Sequence, residues 1–301
     1  MNIQQTYRDI KSVKIQGATN VAKTSLEIAE VVSQRSKAKT FSSYLKEIKD
    51  VERKVLSLRP TEPMVENLFE LVLAELKELK TIEEAKKNFP KVRQKHLKEI
   101  LLSREKISKI GSEMIKNNST VLTHCHASTV TNILKLAKSK GKKFRVICTE
   151  TRPLYQGRRT AKDLIKNKID TTMIVDSGVS NIIKQVDMAF VGADLLTVTG
   201  EAVNKIGSTN VALACRRVNI PFYVCSTLMK IEPQTLKGKY PKVEQREGRE
   251  IWDKPPKGLK FVNPAFEVIP NDLISAIITE KGVVRPDSLY SVYKDYIKLT
   301  N

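Results

Sequence analysis

The sequence is poor in several features that mark specialised protein classes. Four cysteines without a C-x-x-C pair and only three histidines exclude a zinc framework and a disulfide scaffold. No apolar run approaches the length of a membrane span, and the N-terminus lacks the basic and apolar regions of a signal peptide. We find no internal repeat and no low-complexity segment. We therefore expect a cytoplasmic globular protein with reduced thiols and no membrane association.

Acidic side chains are scarce relative to basic ones. The chain has 53 Lys and Arg against 33 Asp and Glu, a formal net charge of +20, which suits anionic ligands or nucleic acid. The excess is spread along the chain, with 24 basic and 16 acidic side chains before residue 120, and is not gathered in one arm. The aromatic residues are not interleaved with cations in the way that stacks bases. We expect a small anionic substrate and no direct nucleic-acid binding.

The spacing of apolar residues divides the chain into two parts. From about residue 5 to 117 they recur every three or four positions, which predicts three or four helices. Breaks are expected at Gly17, between Arg59 and Pro63, and at Pro90, where the missing backbone donor should end one helix or begin the next. Residues 1–118 are therefore predicted to form a helical N-terminal domain.

After residue 118 the pattern changes to short β-branched runs that alternate with helical stretches. The predicted strands are Thr120–His124, Phe144–Thr149, Thr172–Val175, Met188–Val191 and Phe222–Cys225. Such alternation predicts parallel strands joined by crossover helices. The expected fold is α/β, with a Rossmann-like, mainly parallel sheet and helices on both faces in residues 119–301, and a pocket between the two domains. Residues 234–260, rich in Lys, Pro and Gly, are expected to be a surface loop.

The first candidate for chemistry is Cys125, directly after the first predicted strand. Ligands of open parallel sheets bind beyond the carboxyl ends of the strands. A helix pattern begins near Ser128, so its dipole and nearby cations are expected to lower the pKa of the thiol. A buried thiol without a chemical role is the alternative. The other three cysteines, Cys148, Cys215 and Cys225, lie in apolar runs and are assigned to the core.

The second candidate is Asp194, after the fourth predicted strand. Its small and apolar neighbours could keep the carboxyl protonated near neutral pH, so that it acts as a general acid. A turn or helix cap is the alternative, and Asp176 at another strand end is the rival carboxylate. Cations and amides after other strands suit a phosphate, and Gly207 could let a helix N-terminus approach one closely.

Several motifs together resemble one family, the initiation-factor-2B-related proteins. The matching segments are Ile15-Gln16-Gly17-Ala18, Arg59-Pro60-Thr61, Thr123-His124-Cys125-His126, Glu150-Thr151-Arg152-Pro153, Gly192-Ala193-Asp194, Asn204-Lys205-Ile206-Gly207 and Asn263-Pro264-Ala265-Phe266-Glu267. The family includes archaeal ribose-1,5-bisphosphate isomerases, methylthioribose-1-phosphate isomerases and non-catalytic regulatory subunits of a translation exchange factor. Order and spacing match over nearly the whole chain.

The resemblance implies an aldose-1-phosphate to ketose-1-phosphate isomerisation, with Cys125 as proton acceptor and Asp194 as proton donor. The expected substrate is ribose 1,5-bisphosphate, which yields ribulose 1,5-bisphosphate in nucleotide salvage. No cofactor or metal is implied, and a homo-oligomer, dimer or hexamer, is expected. By position, the resemblance assigns substrate binding to Gly17, Ala18, Arg59, Ala127, Ser128, Thr129, Asn204, Lys205 and Lys230.

Two departures from the family pattern bear on the substrate. Gln16 stands where the isomerases usually carry arginine, and Ser128 stands where some ribose-bisphosphate isomerases have lysine. Losing a charge-assisted hydrogen bond costs about 1.5–3 kcal/mol, enough to change substrate preference. Methylthioribose-1-phosphate isomerase and a regulatory subunit that binds a nucleotide or sugar phosphate without converting it are the alternatives. An enediol route and a hydride shift both remain open.

Overall fold

The computed structural model describes residues 1–240 and 243–300. Contacts between residues divide the chain into two compact units. The first comprises Met1–Leu102, Met229–Ile231 and the chain from Tyr296, and the second comprises Ser103–Leu228 and Glu232–Asp295. This division falls inside a long helix, whereas the sequence predicts a domain boundary at residue 118.

Five helices occupy the N-terminal part of the chain, one more than the upper expectation. They are α1 (Ile3–Lys11), α2 (Ala18–Arg35), α3 (Phe41–Leu58), α4 (Pro63–Lys77) and α5 (Ile82–Met114). The breaks expected at Gly17 and before Pro63 are confirmed: Gly17 has a φ of 85° ahead of α2, and Pro63 starts α4. Their apolar faces bury one core, which includes Tyr44, Phe69 and Phe89.

The break expected at Pro90 is wrong, because α5 continues through it. Proline cannot donate to the carbonyl four residues earlier, which here belongs to Lys86. Gln34 of α2 replaces that donor, since its side-chain Nε2 lies 2.7 Å from the Lys86 carbonyl oxygen. A side chain from a neighbouring helix thus satisfies the acceptor that the proline leaves, and the helix remains continuous.

The second unit contains the sheet that the sequence predicts. The strands along the chain are β1 (Thr120–Thr123), β2 (Arg145–Thr149), β3 (Asp170–Ile174), β4 (Met188–Gly192), β5 (Leu195–Thr197), β6 (Ala202–Lys205), β7 (Phe222–Cys225), β8 (Ile231–Glu232), β9 (Phe266–Ile269), β10 (Ala276–Thr279) and β11 (Gly282–Val284). The later helices are α6 (Ser128–Ser139), α7 (Gln156–Lys166), α8 (Val179–Ile182), α9 (Ser208–Arg217) and α10 (Leu289–Thr300).

Seven strands form one sheet in the order β11-β10-β7-β4-β1-β2-β3. All neighbouring pairs are parallel except β10 and β11. All five predicted strands are present, each within about two residues of its predicted bounds, and the α/β class is confirmed. The chain runs from β1 outward to β3 and then returns to β4 on the other side of β1. Strand order therefore reverses at β1 and β4, the position where open sheets bind ligands.

Four strands form a smaller sheet in the order β8-β5-β6-β9, in which β6 is antiparallel to both β5 and β9. The sequence pattern does not predict this sheet. The hairpin of β5 and β6 follows β4. It therefore connects Asp194, after the end of β4, to Asn204 and Lys205 at the end of β6. Between Glu232 and Phe266 the described residues contain short 3-10 turns and an isolated β-bridge between Gln245 and Pro264, but no longer element, as expected for a surface loop. Residues 241 and 242 of that loop lie outside the described part. No helix among residues 1–240 and 243–300 has the length and apolar character that crossing a membrane requires.

Candidate functional site

Cys125 lies two residues beyond the end of β1, in a strained backbone conformation. Its φ of 67° falls in the left-handed region, which costs a non-glycine residue about 1–2 kcal/mol. Two threonine hydroxyls hold it there. The Cys125 N–H donates to Thr151 Oγ1 at 2.9 Å, and Thr160 Oγ1 donates to the Cys125 carbonyl at 2.8 Å. The half-buried thiol therefore has a fixed position at the edge of the sheet.

The pKa expected for this thiol is wrong in direction. The pKa of Cys125 is raised to about 11, mainly by burial and to a smaller extent by the Asp194 charge, and the positive charge of Lys205 only partly offsets them. The reason is that desolvation of the thiolate outweighs the nearby ammonium group. Cys125 is therefore a neutral thiol near neutral pH in the unliganded protein. Burial also raises the pKa values of the other three thiols, which are buried as expected.

Asp194 follows β4, the strand that pairs with β1. Its N–H donates to the Val203 carbonyl at 2.8 Å, so the backbone is tied to the hairpin that leads to Asn204. The half-buried carboxyl makes no hydrogen bond to any residue in the described part of the chain, and its charge acts on the Cys125 thiol. The structure thus brings the two expected catalytic groups to adjacent strand ends.

The rival carboxylate, Asp176, has a structural task. One of its oxygens accepts the N–H of Thr151 at 2.8 Å and the other accepts the N–H of Arg152 at 2.6 Å. Thr151 is a β-branched residue with a φ of 63°, and such a residue needs external contacts to remain in that conformation. Asp176 supplies them, which leaves Asp194 as the carboxyl available for chemistry.

Asn204 and Lys205 end strand β6, close to the thiol. Asn204 is buried, and its side-chain nitrogen donates to Ser208 Oγ at 2.8 Å. The Lys205 ammonium nitrogen lies 4.6 Å from the ring centre of Phe266, a cation–π contact that restrains it. Because the Lys205 charge acts on Cys125, this cation belongs to the same site.

Ala127, Ser128 and Thr129 form the start of helix α6, two to four residues after Cys125. The helix begins at Ser128, and no side chain caps it. Gly192 at the end of β4 permits this approach, since a Cβ atom at residue 192 would lie 2.5 Å from the Ala127 Cβ. The backbone amides of an uncapped helix start can bind an anion.

The start of helix α9 does not offer such a position, contrary to the expectation for Gly207. The side-chain oxygen Oε1 of Glu267 accepts the N–H of Gly207 at 2.7 Å and the N–H of Thr209 at 2.8 Å. A carboxylate of the protein thus already occupies the position that a phosphate would take. The start of α9 is therefore not available to a phosphate in this conformation.

Both histidines beside Cys125 are neutral and engaged in hydrogen bonds. Burial lowers the pKa of His124, and burial together with the Arg159 charge lowers the pKa of His126 to about 4. His124 contacts Thr149 and the Ile206 carbonyl, and His126 contacts the hydroxyl of Thr160. Within residues 1–240 and 243–296, no group of three His, Cys, Asp or Glu side chains is arranged to hold a metal ion.

A small, partly open cleft lies beside Lys205 in the second unit. Its lining consists of Pro153, Leu154, Gln156, Lys205, Ile206, Arg246, Glu250, Asn263 and Ala265. Only Lys205 is an expected binding residue, although Pro153, Ile206, Asn263 and Ala265 also lie in the motifs quoted above. Gln156 Oε1 and Glu250 Oε2 are buried and accept no hydrogen bond from the described residues. Arg246 and Glu250 lie in the loop of residues 234–260, where no hydrophobic periodicity predicts which side chains face the site. Asn263 could have been found from the sequence, because it begins the Asn-Pro-Ala-Phe-Glu motif quoted above.

The remaining expected binding residues belong to the first unit. Gly17 and Ala18 begin α2, and Arg59 ends α3, where it is buried and paired with Glu62 at 2.8 Å. One guanidinium nitrogen of Arg59, Nη1, is buried without a hydrogen-bond partner among the described residues. Lys230 is half-exposed and lies in the turn Leu228–Lys230. Their role in substrate binding stays a prediction.

The chain is similar to known proteins over nearly its whole length. The model of the Initiation factor 2 subunit family matches residues 14–286. The chain belongs to this family. Among curated relatives of this Initiation factor 2 subunit family member, the ribose 1,5-bisphosphate isomerase of Methanocaldococcus jannaschii is 33% identical, covering 98% of this chain and 95% of the relative. The methylthioribose-1-phosphate isomerase of Acetivibrio thermocellus is 34% identical, covering 92% and 86%.

Solved structures agree with this membership. A structure described as translation initiation factor eIF-2B from Pyrococcus horikoshii OT3 matches with a TM-score of 0.82 and 26% identity, covering 94% of this chain and 97% of that one. The resemblance inferred from the motifs is therefore confirmed. The names of the relatives include isomerases and an initiation factor, so the choice of function for this family member depends on its own site.

Proposed function

We propose that this Initiation factor 2 subunit family member is an aldose–ketose isomerase that converts ribose 1,5-bisphosphate into ribulose 1,5-bisphosphate. The observation that carries the proposal is the placement of Cys125 and Asp194 after adjacent strands, with the thiol under the influence of both Asp194 and Lys205. A regulatory subunit would have no need of this pair. Relatives named as isomerases support the reaction class.

The chemistry of the substrate explains why an acid and a base are both needed. Phosphate on C1 locks the sugar as a glycosyl phosphate without a free aldehyde, so an acid must open the ring before hydrogen moves from C2 to C1. Asp194 would protonate the ring oxygen, and the Cys125 thiolate would take the C2 hydrogen as a proton and return it to C1. The proton of the C2 hydroxyl then restores Asp194, which leaves a ketone at C2.

The raised pKa of Cys125 is compatible with this role. A neutral thiol beside a carboxylate holds the same single proton as a thiolate beside a carboxylic acid, so the reactive form arises by proton transfer within the pair. Its population does not depend on pH while the pair retains that proton. The charge of Lys205 favours this form because it stabilises the thiolate.

The two ends of the substrate call for different groups. The uncapped start of α6, at residues 127–129, lies next to Cys125 and offers backbone N–H groups to one phosphate. Lys205 offers a cation, and the unused acceptors on Gln156 and Glu250 suit the hydroxyl groups of a sugar. In the proposal, Gly17, Ala18, Arg59, Asn204 and Lys230 complete the binding of the phosphates and the sugar.

The decisive experiment is an NMR assay of purified protein with ribose 1,5-bisphosphate and, separately, methylthioribose 1-phosphate. We expect conversion of the bisphosphate, and its loss in Cys125→Ser and in Asp194→Asn. Cys215→Ala and Asp253→Asn, at a buried thiol and an exposed carboxylate outside the site, serve as controls that keep activity. Binding without conversion by the parent protein would favour the regulatory function, and unchanged rates in both site variants would refute the catalytic pair.

Substitutions at Lys230 and Gln16 test whether the substrate is a bisphosphate. If a bisphosphate is bound, Lys230→Met should raise KM roughly tenfold or more, because a charged hydrogen bond contributes about 1.5–3 kcal/mol. Gln16→Arg should then improve binding or leave it unchanged. Weaker binding in Gln16→Arg with no effect of Lys230→Met would instead indicate an uncharged substituent and favour methylthioribose 1-phosphate. A homo-oligomer, dimer or hexamer, stays a prediction that sedimentation of the purified protein would test.

A further inference from the structure

The buried side chain of His124 joins two loops of the site that are far apart in the sequence. Its Nε2 lies 2.8 Å from the carbonyl oxygen of Ile206, the residue directly after Lys205. Its Nδ1 lies 2.6 Å from Thr149 Oγ1 at the end of β2. Gly207 packs directly on the imidazole, since a Cβ atom at that residue would lie 2.9 Å from His124 Cε1. No step of the proposed reaction uses this histidine.

The protonation of His124 fixes the direction of a chain of hydrogen bonds. A carbonyl oxygen can only accept, so Nε2 carries the proton and donates to Ile206. Burial and the nearby Lys205 charge disfavour a second proton, and they outweigh Asp176, whose carboxylate lies 3.9 Å from Nδ1. Nδ1 of the neutral imidazole must therefore accept the hydrogen bond that the Thr149 hydroxyl donates.

The chain of hydrogen bonds continues from Thr149 to the backbone of Cys125. With its own hydrogen committed to His124, Thr149 Oγ1 accepts from the hydroxyl of Thr151, at 3.3 Å. Thr151 Oγ1 in turn accepts the N–H of Cys125, at 2.9 Å. Every donor along this path has one acceptor, and the path ends at the strained residue that carries the thiol.

We propose that His124 is a positioning residue that fixes the Cys125 loop and the Lys205 loop relative to each other, and so holds the ammonium group beside the thiol. One side of the imidazole is tied to each loop, and only a group with a donor and an acceptor on opposite sides can span both. The inference concerns the site of the proposed isomerase, but it does not depend on which substrate is turned over.

The test measures the positive potential at Cys125 without any substrate. Iodoacetamide and iodoacetate alkylate a thiolate through the same reaction and differ mainly in charge, so the ratio of their rates, iodoacetate over iodoacetamide, reports nearby cations while accessibility largely cancels. Mass spectrometry of the peptide that contains Cys125 separates it from the other three cysteines. Lys205→Met defines the ratio expected when the ammonium group is absent.

We expect the ratio to fall roughly threefold or more in Lys205→Met, and to fall toward the same value in His124→Asn and Thr149→Val. Thr149→Ser keeps the hydroxyl and should retain the parent ratio, as should Thr171→Val, which removes a hydroxyl bonded only to the local Ile169 carbonyl. In a Lys205→Met background, His124→Asn should cause no further fall. If His124→Asn does not fold, the nearly isosteric Thr149→Val carries the test.

Two outcomes would overturn the inference. A parent-like ratio in the folded His124→Asn or Thr149→Val protein, even with a lower melting temperature, would mean that the chain of hydrogen bonds only supports the fold. An equal fall with and without Lys205 would mean that His124 acts on the thiol by another route. Because no sugar phosphate is present, failure of the isomerase assay would leave this result interpretable.

Discussion

The burial of Cys125 should lower the free energy of unfolding at alkaline pH. The substitution Cys125→Ser should remove this contribution. The pKa of the thiol rises from 9.0 to about 11 on folding, because the thiolate loses hydration. Above the lower value the unfolded chain releases its proton while the folded chain keeps it. The unfolded state is then favoured, and the free energy of unfolding falls as pH rises from about 9 toward 11.

The size of the effect follows from the two pKa values. At about pH 10 the contribution of Cys125 lowers the free energy of unfolding by roughly 1–2 kcal/mol, with a limit of roughly 2–3 kcal/mol at higher pH. At about pH 8 it is close to zero. Cys148 and Cys215 also have raised pKa values, so the parent protein alone does not isolate this contribution.

The comparison that isolates it is urea unfolding of the parent and of Cys125→Ser at about pH 8 and pH 10. Serine does not titrate in this range, so the variant should lose roughly 1–2 kcal/mol less than the parent between the two pH values. A parallel loss in both proteins would refute a raised pKa. A smaller loss of stability in the parent than in the variant would instead indicate the lowered Cys125 pKa that the sequence predicts.

Three further predictions address the site and the fold. Lys205→Met should move the alkaline limb of the kcat/KM profile to higher pH, because removing the cation raises the pKa of Cys125 further; a limb that stays in place would contradict this. Glu267→Ala should lower the free energy of unfolding by about 1–2 kcal/mol through loss of a helix cap, and Glu267→Gln should cost less because an amide oxygen can still accept; equal losses in urea would count against it. Gln34→Leu should cost about 1 kcal/mol in the parent but less in a Pro90→Ala background, where the backbone donor returns, and calorimetry of the four proteins measures this coupling.

The sequence was sufficient for five of the seven strands of the large sheet and for the positions of the two residues proposed as catalytic. Strands β1, β2, β3, β4 and β7 are β-branched runs separated by helix-length segments, which is the pattern of parallel strands with crossover helices. Because parallel strands end at one edge, the positions of Cys125 and Asp194 followed from the same pattern. Short strands such as β5 and β11, of three residues each, carry no period of their own and were missed.

What the sequence could not provide depends on contacts between distant residues. The expected break at Pro90 failed because its remedy lies on another helix, at Gln34. The expected depression of the Cys125 pKa failed because desolvation depends on packing around the thiol, which no local pattern records. The capping of α9 by Glu267 joins residues about sixty positions apart, and the motif that contains Glu267 gave no indication of that partner.

The backbone of Cys125 is held by the hydroxyls of Thr151 and Thr160, and none of these contacts uses the cysteine side chain. Placement and chemistry are therefore supplied by different residues at this position. A serine at residue 125 should keep the same loop while lacking the thiol, so an inactive protein with an intact site is within reach by one substitution. Such a protein is suited to soaking or co-crystallisation with an unconverted sugar phosphate, which would reveal the bound substrate directly.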